Sequence, residues 1–346
     1  MKKIITYSKN ILVQIVLLGF LQISYAGGIT KVGTSAAPFL RIPVGARATG
    51  MGSAFVSMIN DPSALYWNPS ALASINSNAL MVDHSPWLPG ISFDYFGLVL
   101  PLSDLGTIGI SATVLQTDEM EVTTPTSPMG TGETFTASSI SLGISYSKYL
   151  TEQFSIGGTF KYIRETIFNS SATGIAFDIG TIYTTPLAGI RLGASISNFG
   201  TKMQISGEDL NVRVDIAPGQ EGNNQSIVGK LNTDEFDLPL LMRIGISGEL
   251  LNTNNLRWTI AVDGVNPNDN SQSVNIGTEL GFLNELVRIR AGYTELFLED
   301  SEANLTFGVS LNEIKVISNI LISVEYAYQN FVHLGNSNRF SVMIKY

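Results

Sequence analysis

The chain has 346 residues, only 14% of them charged, no cysteine, two histidines and a formal net charge of −9. The missing cysteines exclude disulfides, thiolate catalysis, cysteine metal sites and a lipidated cysteine, and His84 with His333 are too few and too far apart in sequence for a histidine metal cluster. The acidic balance argues against nucleic acid as a partner, and no cofactor-binding pattern is present.

Residues 1–26 have the layout of a secretory signal peptide. Lys2, Lys3 and Lys9 supply a positive start, Ile11 to Leu21 is mostly apolar but too short to span a bilayer, and Ser24-Tyr25-Ala26 fits a small-x-small cleavage site. A mature start near Gly27 removes those three lysines and takes the formal charge to about −12.

Residues 27–77 do not alternate. They are rich in Gly, Ala and Pro, yet Phe39, Phe55, Tyr66 and Trp67 are too apolar for a solvated tail. We expect a compact plug, or hatch, followed by a barrel over residues 78–346.

From residue 79 onward the apolar residues recur every second position. In 139–147, Ile140, Leu142, Ile144 and Tyr146 share one face, and Ser139, Ser141, Gly143, Ser145 and Ser147 the other. Strands are expected at 79–86, 91–101, 107–117, 137–149, 154–165, 173–184, 188–199, 239–249, 256–265, 273–283, 286–295, 303–312, 319–329 and 337–346. Segment 91–101 is apolar on both faces and cannot be oriented from its pattern. Beyond the leader no apolar run reaches eighteen residues, so a membrane-spanning form must be a closed barrel, the other structure that satisfies every backbone polar group in lipid. The expected fold is therefore all-β, an antiparallel transmembrane barrel of about fourteen strands. A barrel of eight strands fills itself and one of sixteen leaves a channel, so one of fourteen needs its plug.

Connection lengths support this reading. Most even-numbered connections are short, as at 102–106, 150–153, 185–187, 250–255 and 284–285, with 313–318 no shorter than its neighbours; the odd ones include 118–136 and 200–237, the longest in the chain, although the first, 87–90, is short and breaks the rule. Outer-membrane barrels place short turns in the periplasm and long loops outside. An even strand count then brings both termini to the periplasmic side. The inward face collects Lys161, Glu165, Asp178, Arg191, Arg243, Arg257, Asp263, Glu279, Arg288, Arg290, Glu325, Arg339 and Lys345, where ions avoid the roughly 2–4 kcal/mol that a basic residue costs on the lipid face. The last run, Phe340, Val342, Ile344 and Tyr346, ends on an aromatic residue and resembles the terminal signal read by the barrel assembly machinery.

The stretch Arg41-Ile42-Pro43-Val44-Gly45-Ala46-Arg47-Ala48, with Gly50-Met51-Gly52, Asp61-Pro62-Ser63-Ala64 and Tyr66-Trp67-Asn68-Pro69, resembles the N-terminal signature of the PorV/PorQ family. More distantly it is similar to FadL-type fatty-acid channels, with Ser70 where Ala is usual. The resemblance implies a fourteen-stranded outer-membrane barrel with an N-terminal hatch. PorV members act in type IX secretion on exported proteins that carry a C-terminal signal domain; FadL members pass hydrophobic molecules. The expected partners are outer-membrane lipid, the assembly machinery and such secreted proteins. The expected function is non-enzymatic engagement of exported cargo, with a FadL-like channel for small hydrophobic molecules as the alternative.

Within the hatch, Arg41 and Arg47 are expected to pair with inward acids such as Asp178, Asp263, Glu279 or Glu325. Gly45, Gly50 and Gly52 are expected in tight turns, Trp67 at the periplasmic interface, and Asn68-Pro69 at the turn into the first strand. Chemistry is otherwise sparse. Gly50-Met51-Gly52 lacks the third glycine of a dinucleotide fingerprint. His84 and Ser85 are adjacent on a strand and point to opposite faces, so they cannot form a catalytic pair. Loop 118–136 holds Asp118, Glu119, Glu121 and Glu133 with no basic residue, an acidic rim suited to repelling anions or docking a basic domain.

Overall fold

Alternation of small polar and bulky apolar side chains, repeated along the chain, closes into a cylinder. The computed structural model describes residues 31–346 apart from 188, 218, 220–225, 254, 300 and 318; the expected signal peptide lies outside the described residues. Fourteen strands build the wall: β1 Ala79–Leu88, β2 Ile91–Pro101, β3 Thr107–Thr117, β4 Ala137–Thr151, β5 Phe154–Ile167, β6 Ser170–Thr184, β7 Arg191–Gly200, β8 Leu241–Asn252, β9 Leu256–Pro267, β10 Ser273–Phe282, β11 Val287–Leu296, β12 Ala303–Ile317, β13 Ile320–Phe331 and β14 Gly335–Lys345. Each pairs antiparallel with its sequence neighbours, and β1 closes on β14 from Ala79↔Lys345 to His84↔Phe340. All fourteen expected strands are present, with ends shifted by a few residues where hairpin pairing extends the ladder.

The two faces differ in chemistry. On β4, Leu142, Ile144 and Tyr146 are half or more exposed on the outside, while Ser141, Ser145 and Ser147 are buried inside. β2 is apolar on both faces for a simple reason. Phe93, Tyr95 and Val99 face inward and are buried in one cluster with Leu65 and Leu72 of the segment inside the barrel, and Phe96 faces out.

Short turns gather at one end of the cylinder. At Leu102–Gly106 the Leu102 N–H donates to the Gly106 carbonyl (2.7 Å), and Gly106 has φ 105°, which favours glycine. At the same end Leu283, Asn284 and Glu285 are all left-handed, φ 53°, 55° and 68°, none of them glycine. The opposite end carries loop 118–136, with a small hairpin at Met120–Glu121 and Thr134–Phe135, and the loop between β7 and β8, with a second hairpin at Asn211–Val214 and Ile227–Lys230.

The residues before β1 fill the lumen. They form a 3-10 turn at Pro38–Arg41, α1 Ala46–Gly50, α2 Ala64–Trp67 and a second 3-10 turn at Pro69–Ser74. Proline opens both 3-10 turns, where its missing N–H costs nothing. Asn68 caps the second by accepting the Ser70 N–H (3.1 Å).

The hatch crosses the lumen from end to end. At the long-loop end the Ala36 N–H donates to the Asp237 carbonyl (2.9 Å) and the Ser35 hydroxyl to Asp269 (2.6 Å). At the short-turn end the Tyr346 N–H donates to the Asn78 carbonyl (3.0 Å). The even strand count does bring Ala79 and Lys345 together. The hatch then carries the chain back through the barrel, so Lys31 and Tyr346 stand at opposite ends. The expectation of two chain ends on one side counted strands alone, whereas the described chain from Lys31 onward also crosses the lumen.

Candidate functional site

The hatch is held to the wall by two devices, close backbone approach and buried charge. Close approach depends on wall glycines. A Cβ on Gly157 would come within 2.5 Å of the Pro69 carbonyl carbon, one on Gly193 within 2.7 Å of the Ser57 Cα, and one on Gly308 within 3.2 Å of the Gly50 Cα. Gly292 faces the Gly52 backbone and Gly277 the Met51 carbonyl in the same way. These positions lie on β5, β7, β10, β11 and β12, so the close contacts run along the wall from β5 to β12. Side chains would hold the two backbones apart.

Buried charge forms three clusters. In the largest, four arginines meet four acids. Arg47 of α1 grips Glu279 of β10 through two parallel bonds, Nε to Oε2 at 2.9 Å and Nη2 to Oε1 at 3.0 Å, and reaches Asp61 at 3.3 Å. Glu279 is fully buried and also accepts from Arg290 (2.6 Å) and Arg257 (2.7 Å). Arg290 continues to Glu325 (3.2 Å), and Glu285 receives Arg257 (2.7 Å) and Arg288 (2.8 Å). Burial lowers the pKa of the Arg47 guanidinium, but Glu279 and Asp61 more than restore it, so it stays charged. In the second cluster Asp83 accepts from Arg339, the Ser341 hydroxyl (2.6 Å) and the Gly45 N–H (3.2 Å). In the third Asp263 accepts the Phe55 (2.6 Å) and Val56 (2.8 Å) N–H groups.

The structure places each residue singled out in the sequence. Glu279 is the partner of Arg47, whereas Arg41 pairs with Asp269 (2.8 Å) and with none of the four acids expected for it. Asp178 serves the wall itself, bound to Lys161 (2.6 Å) and the Asn198 N–H (2.8 Å). Gly45 sits at φ 87° as the residue before α1, and Gly50 and Gly52 press on the wall. Asp61 accepts the Ser63 N–H (2.9 Å) and hydroxyl (2.6 Å).

Trp67 is not at an interface. It is 2% exposed, donates Nε1–H to the Val44 carbonyl (2.8 Å), and stacks edge-on with Tyr66 at 5.0 Å, because the indole finds its hydrogen-bond partner within the plug. Asn68 donates to Val56 (2.7 Å) and to Thr181 of the wall (3.1 Å), and Pro69 lies over Gly157. Phe340 and Tyr346 are half exposed on the outer wall and at its lower rim. Sequence reasoning missed Asp83 and Asp269. Asp83 was accessible, since it alternates with buried Met81 and Ser85; Asp269 lies in a turn, where no period marks it.

Among the described residues, two cavities lie beside the hatch. The one at the short-turn end is about 410 Å³ and is lined by Arg47, Pro62, Arg191, Arg257, Arg288 and Glu285 among others. The one at the long-loop end is about 350 Å³ and is lined by Arg41, Pro43, Trp67, Trp87, Arg243 and Gln329 among others. Both carry arginines. Above the second, the β1–β14 ladder lapses: it stops at His84↔Phe340 although β1 runs to Leu88 and β14 begins at Gly335. Pro86 has no N–H to extend it. Trp87 and Phe331 fill the rim, ring centres 5.2 Å apart.

The sequence profile of the family described as type IX secretion system protein PorV matches residues 28–214, more than half of the chain. The chain belongs to the PorV family. Membership covers the hatch and the first seven strands, and the fourteen-stranded closure extends the likeness to the rest. A comparison with curated proteins found no match. Among solved structures, a Pseudomonas aeruginosa FadL homologue is similar at TM-score 0.54 and 15% identity, covering 88% of this chain and 98% of that one. The toluene transporter TodX of Pseudomonas putida is similar at TM-score 0.55 and 14% identity over 87% and 97% of the two chains. The toluene transporter TbuX of Ralstonia pickettii matches at TM-score 0.54 and 13% identity over 88% and 97%. At such identities the likeness is one of fold. This PorV-family chain is thus an outer-membrane β-barrel of the FadL-like architecture and a type IX secretion protein.

Proposed function

We propose that this barrel holds exported proteins, or the partner proteins that receive them, during type IX secretion, and does so without catalysis. The observation that carries the reading is the hatch: its backbone touches a row of wall glycines and its Arg47 is buried in an eight-membered ion network. A plug so fixed suits a carrier whose lumen stays shut, and the cavity at the short-turn end, lined by Arg47, Arg191, Arg257 and Arg288, offers polar recognition. With short turns in the periplasm, as is usual for such barrels, Tyr346 is periplasmic and the residues around Lys31 emerge on the cell surface beside the long loops.

One observation favours a second reading, the passage of small hydrophobic molecules. The lapse between β1 and β14 lies beside Trp87 and Phe331, and the solved relatives include toluene transporters. Purification of the intact barrel from its own membrane in mild detergent separates the two. Co-purified secreted proteins sharing a C-terminal domain support the carrier; bound lipid or hydrocarbon without protein supports the channel.

A further inference from the structure

An ionisable pair interrupts the outer wall at hydrocarbon depth. His84 of β1 and Asp94 of β2 stand opposite each other in the ladder, with Nδ1 2.7 Å from Oδ1, and both side chains are about half exposed. They alternate with Asp83, Ser85, Phe93 and Tyr95, which are buried toward the lumen, so the pair points outward. Leu80, Val82 and His84 are the first three outward positions of β1 from the short-turn end. At about 3.3 Å per residue and a tilt near 40°, His84 stands roughly 10 Å above Leu80, inside an apolar band about 25 Å tall. On nearby β13, Ile322, Val324, Tyr326 and Tyr328 stay outward through the same height. Lys148 and Arg164, also outward, stand near the ends of β4 and β5.

The polar surface is wider than the pair. Ser92 of β2 and Asn338 of β14 take the next outward positions toward the long-loop end, and Val82, Phe96 and Phe340 flank the pair as exposed apolar groups. The pair spends Nδ1 and Oδ1 on each other, and among the described residues Nε2 and Oδ2 have no hydrogen-bond partner. Hydrocarbon offers them none, so ionisable groups at this depth face protein or water. The arrangement of charge identifies the protein. An acid beside a base makes a self-complementary patch, as an isologous contact requires. Two copies inserted in the same direction are related by a twofold axis along the membrane normal, which keeps each residue at its own height. With that axis between β1 and β2, His84 of each copy meets Asp94 of the other. Strands about 4.8 Å apart at this tilt put the two residues within about 3 Å of one height, which either side chain spans. We infer that the outer wall at β1 and β2 binds a second copy of this chain, in a twofold dimer centred on His84 and Asp94. The contact is independent of whether the barrel serves as carrier or channel.

The chain has no cysteine, so a single introduced thiol reports the contact in native membranes. Val82→Cys lies just below His84, beside the axis; Ile144→Cys, on β4, is at least as exposed but away from it. Oxidation with copper phenanthroline should give a disulfide-linked product of twice the chain's mass at position 82 and none at 144. In the Val82→Cys background, His84→Asp sets acid against acid and should lower the dimer yield at least about tenfold. The exchange His84→Asp with Asp94→His restores self-complementarity and should recover the yield, which a partner of different sequence would not allow. No dimer at position 82, as a wall bathed in lipid would give, overturns the inference. So do equal yields at 82 and 144, a product whose mass shows a different protein, or no recovery in the exchange. The comparison of 82 with 144 leaves His84 and Asp94 unchanged, so a misfolded His84 variant does not decide it.

Discussion

Glu279 should matter more to closure of the barrel than Arg47, although the two form one ion pair. Removing one partner of a buried pair costs about 3–5 kcal/mol, because the other is left uncompensated. Loss of Arg47 leaves Glu279 with Arg257 and Arg290, and leaves Asp61 with Ser63; the cost falls near the low end, about 3 kcal/mol. Loss of the Glu279 charge leaves three guanidiniums converging on a neutral group, each with one acid remaining (Asp61, Glu325 and Glu285), which places the cost at the upper end, about 5 kcal/mol. The difference of about 2 kcal/mol corresponds to roughly thirtyfold in the ratio of open to closed hatch. Single-channel recording in planar bilayers reads that ratio directly. Wild type should be closed, Arg47→Ala should open rarely, and Glu279→Gln should spend about thirtyfold more time open. A Glu279→Gln barrel as silent as wild type, or one more tightly shut than Arg47→Ala, would refute the assignment of the network as the latch.

Gly277→Val places a side chain on the Met51 carbonyl and should displace the hatch, seen as raised conductance, whereas Gly264→Val, whose Cβ would meet nothing closer than 3.7 Å, should leave conductance unchanged; equal behaviour of the two would remove the role given to the wall glycines. The chain has no cysteine, so Val32→Cys and Leu105→Cys, both at exposed positions, report topology: a membrane-impermeant maleimide should label position 32 on intact cells and position 105 only after permeabilisation, and the reverse would invert the barrel. Burial raises the Glu285 carboxyl, but Arg257 and Arg288 outweigh it and hold the group below its ordinary value of 4.5. A depressed acid contributes stability that is present above the unfolded value and is lost as pH falls through the folded one. The thermal midpoint of wild type should therefore exceed that of Glu285→Gln at pH 7 and converge with it only once pH has fallen well below the ordinary carboxyl value of 4.5; a gap that persists at the lowest pH the fold tolerates would show the turn is held by other means.

Strand count and facing were legible because the period of two is local and each strand repeats it. The inward acids and bases were legible for the same reason, Glu279 and Arg290 above all. β2 resisted because its inner face meets Leu65 and Leu72 rather than water, so both of its faces are apolar. The Arg41–Asp269 pair and the burial of Trp67 were not legible: each depends on how a segment without periodicity is threaded through the lumen, and a 228-residue separation between Arg41 and its partner leaves no local trace. The hatch glycines read as turn formers. Gly50 and Gly52 also serve as contact points against wall glycines whose own sequence context, such as Gly277 or Gly292, looks like any small inward residue.

A barrel that carries proteins and keeps its lumen shut to small molecules can be told from a channel by comparing the exported proteome of the native host with that of a strain lacking this chain. A set of proteins sharing a C-terminal domain should disappear from the surface and medium and accumulate in the periplasm. An unchanged exported proteome, together with lost uptake of a hydrophobic compound, would contradict the carrier reading.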